Sequence, residues 1–119
     1  MMQQVRESIT VAVAGTAHTS VYTKNNRGMV KYAVLVIPDY TNTVNTTLTM
    51  VDANSNTYYT ASAVAKDTTT VVVLPNSLTS TTSPFPIYPG YTITLTTSGA
   101  TGGSTAYTAY LTLWIDANA

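Results

Sequence analysis

His18 is the only histidine in the chain, and there is no cysteine. Without cysteine there is no disulfide framework, no thiolate nucleophile and no sulfur-liganded metal. A Ser-His-Asp arrangement would hang on His18 alone, and a His-rich metal site is excluded. The neighbours Thr16, Thr19 and Ser20 make it read as a surface or capping histidine. The five carboxylates, Glu7, Asp39, Asp52, Asp67 and Asp116, are scattered, and four of them lie beside turn residues or chain ends. Glycoside hydrolysis needs two carboxylates flanking one bond, and no spacing here pairs them. Asp52 and Asp67 are expected to serve their turns through side-chain to backbone hydrogen bonds. No catalysis, no cofactor and no metal are expected.

Other motifs point to binding or to plain architecture. Asp52-Ala53-Asn54-Ser55-Asn56 faintly resembles a calcium loop but lacks its central Gly and terminal Glu, so it reads as a hairpin loop. Gly99-Ala100-Thr101-Gly102-Gly103 joins strand to strand. The helix N-terminus that phosphate-binding loops use is missing there, so a flexible loop is expected. Lys24, Arg27 and Lys31 gather three of the five positive charges. They either solubilise a turn or meet an acidic partner surface. The threonine stripes (Thr47 and Thr49; Thr92, Thr94 and Thr96) suggest an ice-binding face, but the strand lengths are too irregular for a lattice match. Tyrosines at Tyr58-Tyr59, Tyr88 to Tyr91 and Tyr107 to Tyr110 suit sugar stacking and protein interfaces alike.

These residues need a scaffold, and composition indicates which. The chain has 119 residues, enough for one domain with its own core. Only 8% of residues are charged, with a net charge of zero. Ordinary soluble domains carry about 25%. Twenty-five residues are threonine, and no Asp, Glu, Lys or Arg lies between Asp67 and Asp116. Nucleic acid and acidic membrane surfaces are therefore not expected partners. The lead Met1 to Ser8 has no apolar stretch of the signal-peptide kind, and the longest apolar run, Tyr32 to Ile37, is too short to span a bilayer. The chain is therefore expected to be made and released in the cytosol, or to have lost a signal in its mature form.

Period-two alternation of Thr, Val and Tyr recurs throughout. Strands are predicted from Ile9 to Val13, Thr19 to Thr23, Met29 to Ile37, Val44 to Met50, Thr57 to Val64, Thr70 to Leu74, Tyr91 to Thr97 and Thr105 to Asp116. Met29 to Ile37 is apolar on both parities and reads as a central strand. Asn25 to Gly28, Ala53 to Asn56, Lys66-Asp67 and Pro89-Gly90 read as turns. Asn76 to Pro89 reads as a long connection. The predicted fold is all-β: a single antiparallel β-sandwich of about 7–8 strands, jelly-roll or immunoglobulin-like. An N-terminal arm is expected over 1–8 and the sandwich domain over 9–119.

In the last strand Leu111, Leu113 and Ile115 share one face, while Tyr110, Thr112 and Trp114 share the other. The aliphatic set is the core face, so Tyr110 and the sole Trp look outward, as interface residues do. Outward positions elsewhere carry Thr, Ser, Asn and Ala, where a free sandwich would protect itself with Lys and Glu. Charge depletion with aromatic enrichment is the composition of interface cores. The chain therefore reads as a subunit packed against copies of itself or a larger partner.

The polar lead Met1 to Ser8, the hairpin Leu48 to Tyr59, the Lys66 to Pro75 strand with its proline stop, and Pro89-Gly90-Tyr91-Thr92-Ile93-Thr94 leading to Leu111 to Asp116 carry a resemblance. The chain resembles the small all-β virion structural proteins of tailed bacteriophages, in particular capsid decoration (cement) proteins. That resemblance implies a homo-oligomer, often a trimer, clamped across neighbouring major capsid protein subunits. It also implies a virion location, after assembly in the host cytoplasm and release by lysis. Tyr110, Trp114, Arg6, Glu7, Lys24, Arg27 and Lys31 are the expected contact residues. Two alternatives stand beside it: a tail, adaptor or baseplate component, and a carbohydrate-binding module using exposed tyrosines.

Overall fold

The computed structural model describes residues 2–73 and 85–117, and for 58–63, 69–73 and 85 the backbone alone. The described residues form nine strands and no helix: β1 (Met2–Val11), β2 (Ala17–Val21), β3 (Gly28–Ile37), β4 (Thr46–Val51), β5 (Thr57–Val64), β6 (Thr68–Val73), β7 (Phe85–Ile87), β8 (Thr92–Thr97) and β9 (Tyr107–Asp116). They make two antiparallel sheets. The larger runs β1-β9-β3-β6, and β7 also pairs with β3; the smaller runs β2-β8-β4-β5. The pairings are nested in the chain. β4 pairs with β5, β3 with β6, β2 with β8 and β1 with β9.

Alternation explains the burial. Val5, Ile9 and Val11 of β1, Leu111, Leu113 and Ile115 of β9, Leu48 and Met50 of β4, and Ile93 and Leu95 of β8 all point inward and join one core cluster. Full burial of each such side chain is worth about 1.5–3 kcal/mol. Thr46 and Thr97, opposite each other in register, are buried too. The Tyr40 hydroxyl lies 3.3 Å from Thr46 Oγ1 and satisfies that inward threonine.

β3 is apolar on both parities for a specific reason. Its register with β9 shifts between Val30 and Tyr32, which leaves Lys31 as an extra, bulged residue. Val30 therefore faces the core on one parity, and Ala33, Leu35 and Ile37 face it on the other. The bulge lies where β3 changes its outer neighbour from β7 to β6.

Two expectations change. Residues 2–8 are no separate arm but the first part of β1, paired in unbroken register with β9 from Met2↔Asp116 to Val11↔Tyr107. The polar inward positions Gln3 and Glu7 hide that strand from a hydrophobicity reading. The strand total rises to nine because the three-residue β7, Phe-Pro-Ile, sits inside what reads as a loop. Leu74, Pro75 and most of the Asn76 to Pro89 connection lie outside the described residues.

Candidate functional site

The larger sheet turns an aromatic and aliphatic face outward. Reading across β1, β9, β3 and β6, its register rows are Ser8–Tyr110–Val36–Thr69, Arg6–Thr112–Val34–Val71 and Gln4–Trp114–Tyr32–Val73. Tyr32 is 47% exposed although it is large and apolar. Tyr110, Trp114, Val34 and Val36 are half-buried. The Arg6 guanidinium sits 3.8 Å from the centroid of the Tyr110 ring, a cation–π contact on the same face. Beyond the third row, Met2 and Met29 flank Asp116 in register, and Met2 is also exposed.

This face gathers Arg6, Tyr110 and Trp114 and adds Tyr32, Val34 and Val36. The signal for the last three was the double apolar parity of β3, which has an outward meaning as well as a central one. The other expected contact residues lie elsewhere. Glu7 follows Arg6 in a strand, so it must point to the opposite side, and it is buried between the sheets. Its Oε1 has no hydrogen-bond partner. Burial raises its pKa, and the Lys24 charge partly offsets that. Lys24 and Arg27 are exposed in the β2–β3 connection, and Lys31 occupies the bulge. An open cleft of about 310 Å³ beside them is lined by Gln3, Asn25, Asn26, Arg27 and Ala117. Asn26 Nδ2 donates to Gln3 Oε1 at 3.0 Å, and the Tyr22 hydroxyl donates to the Asn26 carbonyl at 2.7 Å. Burial, with the Glu7 charge adding to it, pushes the Tyr22 phenol up to about 12.

The smaller sheet presents a different surface. Thr19, Thr94, Thr49 and Thr60 share one register row, flanked by Ala17–Thr96–Thr47 and Val21–Thr92–Val51. Threonines far apart in sequence thus become neighbours across strands, in rows two residues apart along each strand, an alignment that irregular strand lengths concealed. No charged residue stands in these rows.

The chemistry-bearing residues stay apart. His18 is buried rather than on the surface, 5% exposed. Its Nδ1 accepts the Ala12 N–H at 3.2 Å, its Nε2 has no partner, and burial lowers its pKa. Asp52 holds its turn as expected. Its Oδ1 accepts from the Asn54 and Asn56 N–H groups at 2.9 Å each, and its Oδ2 from Asn56 Nδ2 at 3.2 Å. Asp39 pairs with Lys66 at 3.3 Å, and Lys66 also donates to the Tyr40 carbonyl at 2.8 Å. Among the described residues no three His, Asp or Glu side chains are grouped to hold a metal ion. The glycine-rich loop is pinned rather than loose. The Tyr107 hydroxyl accepts the Thr41 N–H at 3.0 Å, lies 2.7 Å from Thr41 Oγ1 and donates to the Gly102 carbonyl at 3.2 Å. Among the described residues no helix is long and apolar enough to cross a membrane. No protein-family model, curated protein or solved structure matches the chain.

Proposed function

We propose that this chain is a non-enzymatic structural subunit: a capsid decoration (cement) protein of a tailed-phage virion. It docks on the shell of major capsid protein through the outer face of its larger sheet. The observation that carries this reading is that face itself, where Arg6 over Tyr110, Trp114, Tyr32, Val34 and Val36 lie in adjoining register rows. Arg and aromatic side chains surrounded by aliphatics are the usual anchors of protein interfaces. Its contact area, about three rows of 7 Å by four strands of 4.8 Å, is roughly 400 Å².

The fold belongs to the same reading as a β-sandwich of jelly-roll type. Four nested antiparallel pairs, with the first strand beside the last and the orders β1-β9-β3-β6 and β2-β8-β4-β5, suit a folded-over ribbon. An immunoglobulin-like sandwich would instead place its first strand next to its second. Jelly rolls serve in viral shells and in lectins, so fold analogy alone is not decisive.

The test is co-sedimentation of the full chain with purified heads and, separately, purified tails of the phage whose genome carries this sequence. Saturable binding to heads that Trp114→Ala with Tyr32→Ser abolishes, in a chain that remains folded, supports the reading. Binding to tails alone replaces it with a tail, adaptor or baseplate role. Binding to neither, with saturable tyrosine-dependent capture on a glycan array, replaces it with a carbohydrate-binding module.

A further inference from the structure

Among the described residues β1 stands at one edge of the larger sheet, with β6 and β7 at the other. Along all ten of its residues it pairs with β9. Among the described residues no backbone group of 2–11 bonds to anything beyond that ladder. Edges of this length are normally blunted by proline, bulges, outward lysines or an inward charge, and of these β1 carries only the inward Glu7. β1 has no proline, glycine or lysine, and its register is unbroken. Its one outward charge, Arg6, is folded over the Tyr110 ring and away from the edge. The far end is covered, since Ala12 N–H donates to His18 of β2. The open stretch is Met2 to Ser8.

A second observation lies on the same strand: the buried Glu7 has a carboxylate oxygen with no hydrogen-bond donor. A strand added to this edge would place a side chain beside it, because cross-strand neighbours on one face stand about 5 Å apart. The sequence of β1 supplies a suitable donor from itself. Antiparallel pairing of two β1 strands about a two-fold at Val5 sets Gln3 opposite Glu7 of the second copy, twice by symmetry. It also sets Gln4 opposite Arg6 and Met2 opposite Ser8. Gln3 Oε1 is occupied by Asn26, and its amide N–H groups remain to donate. Centring the two-fold on Arg6 sets Val5 opposite Glu7 and supplies no donor, and centring it on Glu7 opposes two carboxylates. Centring it on Gln4 shortens the ladder.

We infer that two copies of this chain join edge to edge through β1, centred on Val5, into one sheet continuous across the dimer. The two-fold is perpendicular to the sheet, so both aromatic faces point the same way. Resting on the docking reading above, the joined face reaches about 800 Å², the per-partner area of a standard interface. The β1 contact itself does not depend on that reading.

Sedimentation equilibrium of the full chain tests it, with circular dichroism to confirm folding of each variant. The expected mass is twice the 12.6 kDa of one chain. Gln3→Glu keeps an acceptor for Asn26 but opposes two carboxylate pairs, and should weaken the dimer roughly tenfold. Gln4→Glu adds the same charge on the outward face, away from Glu7 and across from an Arg6 that leans towards β9, and should leave the dimer constant unchanged. Concentration-dependent protection of alternate amides from Met2 to Ser8 should accompany dimerisation. A monomer up to about 1 mM, a trimer, or equal shifts from the two Glu variants would overturn the inference. Binding to heads is measured separately, and its loss leaves the dimer result standing.

Discussion

Arg6 lies over the ring of Tyr110, its guanidinium carbon 3.8 Å from the ring centroid, although Arg6 is paired in register with Thr112 and not with Tyr110. The contact is diagonal, reaching one row along β9. It lays the long side chain on the sheet and covers aromatic surface that would otherwise meet water.

A double-mutant cycle with Arg6→Ala and Tyr110→Leu should therefore give a coupling of about 0.5–1 kcal/mol in urea denaturation. Additivity within about 0.3 kcal/mol would mean that the stacking contributes nothing to stability.

Tyr107→Phe removes the hydroxyl that ties Thr41 to Gly102, and should cost about 1 kcal/mol. Gly103→Ala should cost about 1–3 kcal/mol, since its φ is +88° and a Cβ there would stand 2.8 Å from that hydroxyl. In the Tyr107→Phe background the second cost should shrink, and thermal melts of the parent chain, the two single variants and the double variant read the difference directly.

Two buried groups give stability opposite pH dependences. Burial lowers the His18 pKa from its ordinary 6.5. The unfolded chain then binds the extra proton first, and stability falls as pH drops below about 6.5 towards the folded value. The Glu7 pKa is raised from 4.5, so its contribution is present below that value and is lost as pH rises through the folded one. His18→Gln should flatten the acid-side loss, and Glu7→Gln should raise stability at neutral pH. Denaturation midpoints measured from pH 4 to 8 check both signs.

Asp52→Ala leaves three donors at the hairpin turn without their acceptor and should cost about 2 kcal/mol. Asp52→Asn keeps the Oδ1 bonds and should cost less than half as much. Equal losses in chemical denaturation would show that the charge matters more than the acceptor geometry.

The inward and outward parities of β9, β4 and β8 were legible because side chains in a strand alternate strictly, and three aliphatics in step identify the core. The Asp52 turn was legible because a short acid before Asn and Ser has few other local uses. The strand over residues 2–8 was not, because Glu7 stands at an inward position and strand parity is read from apolar residues. His18 was misjudged on polar neighbours in sequence, whereas burial depends on the facing sheet. Tyr32, Val34 and Val36 were marked by the double apolar parity of β3, but which residues of β9 they join depends on the register shift at Lys31, a change of one residue that no local pattern announces. The rows that bring Thr19, Thr94 and Thr49 side by side depend on pairings between strands far apart in the chain.

The last strand in chain order, β9, lies in the interior of its sheet between β1 and β3. Until it arrives, β1 and β3 have no common neighbour, and their apolar faces cannot close against the other sheet. The outermost pair also demands closure of the longest loop in the molecule, which is entropically the costliest to form. Folding is thus expected to await the whole chain rather than to proceed as it leaves the ribosome, on the millisecond-to-second scale of other long-range β topologies. A nascent chain stopped short of Tyr107 would expose β3 to aggregation, so translation rate and chaperone supply bear on its yield.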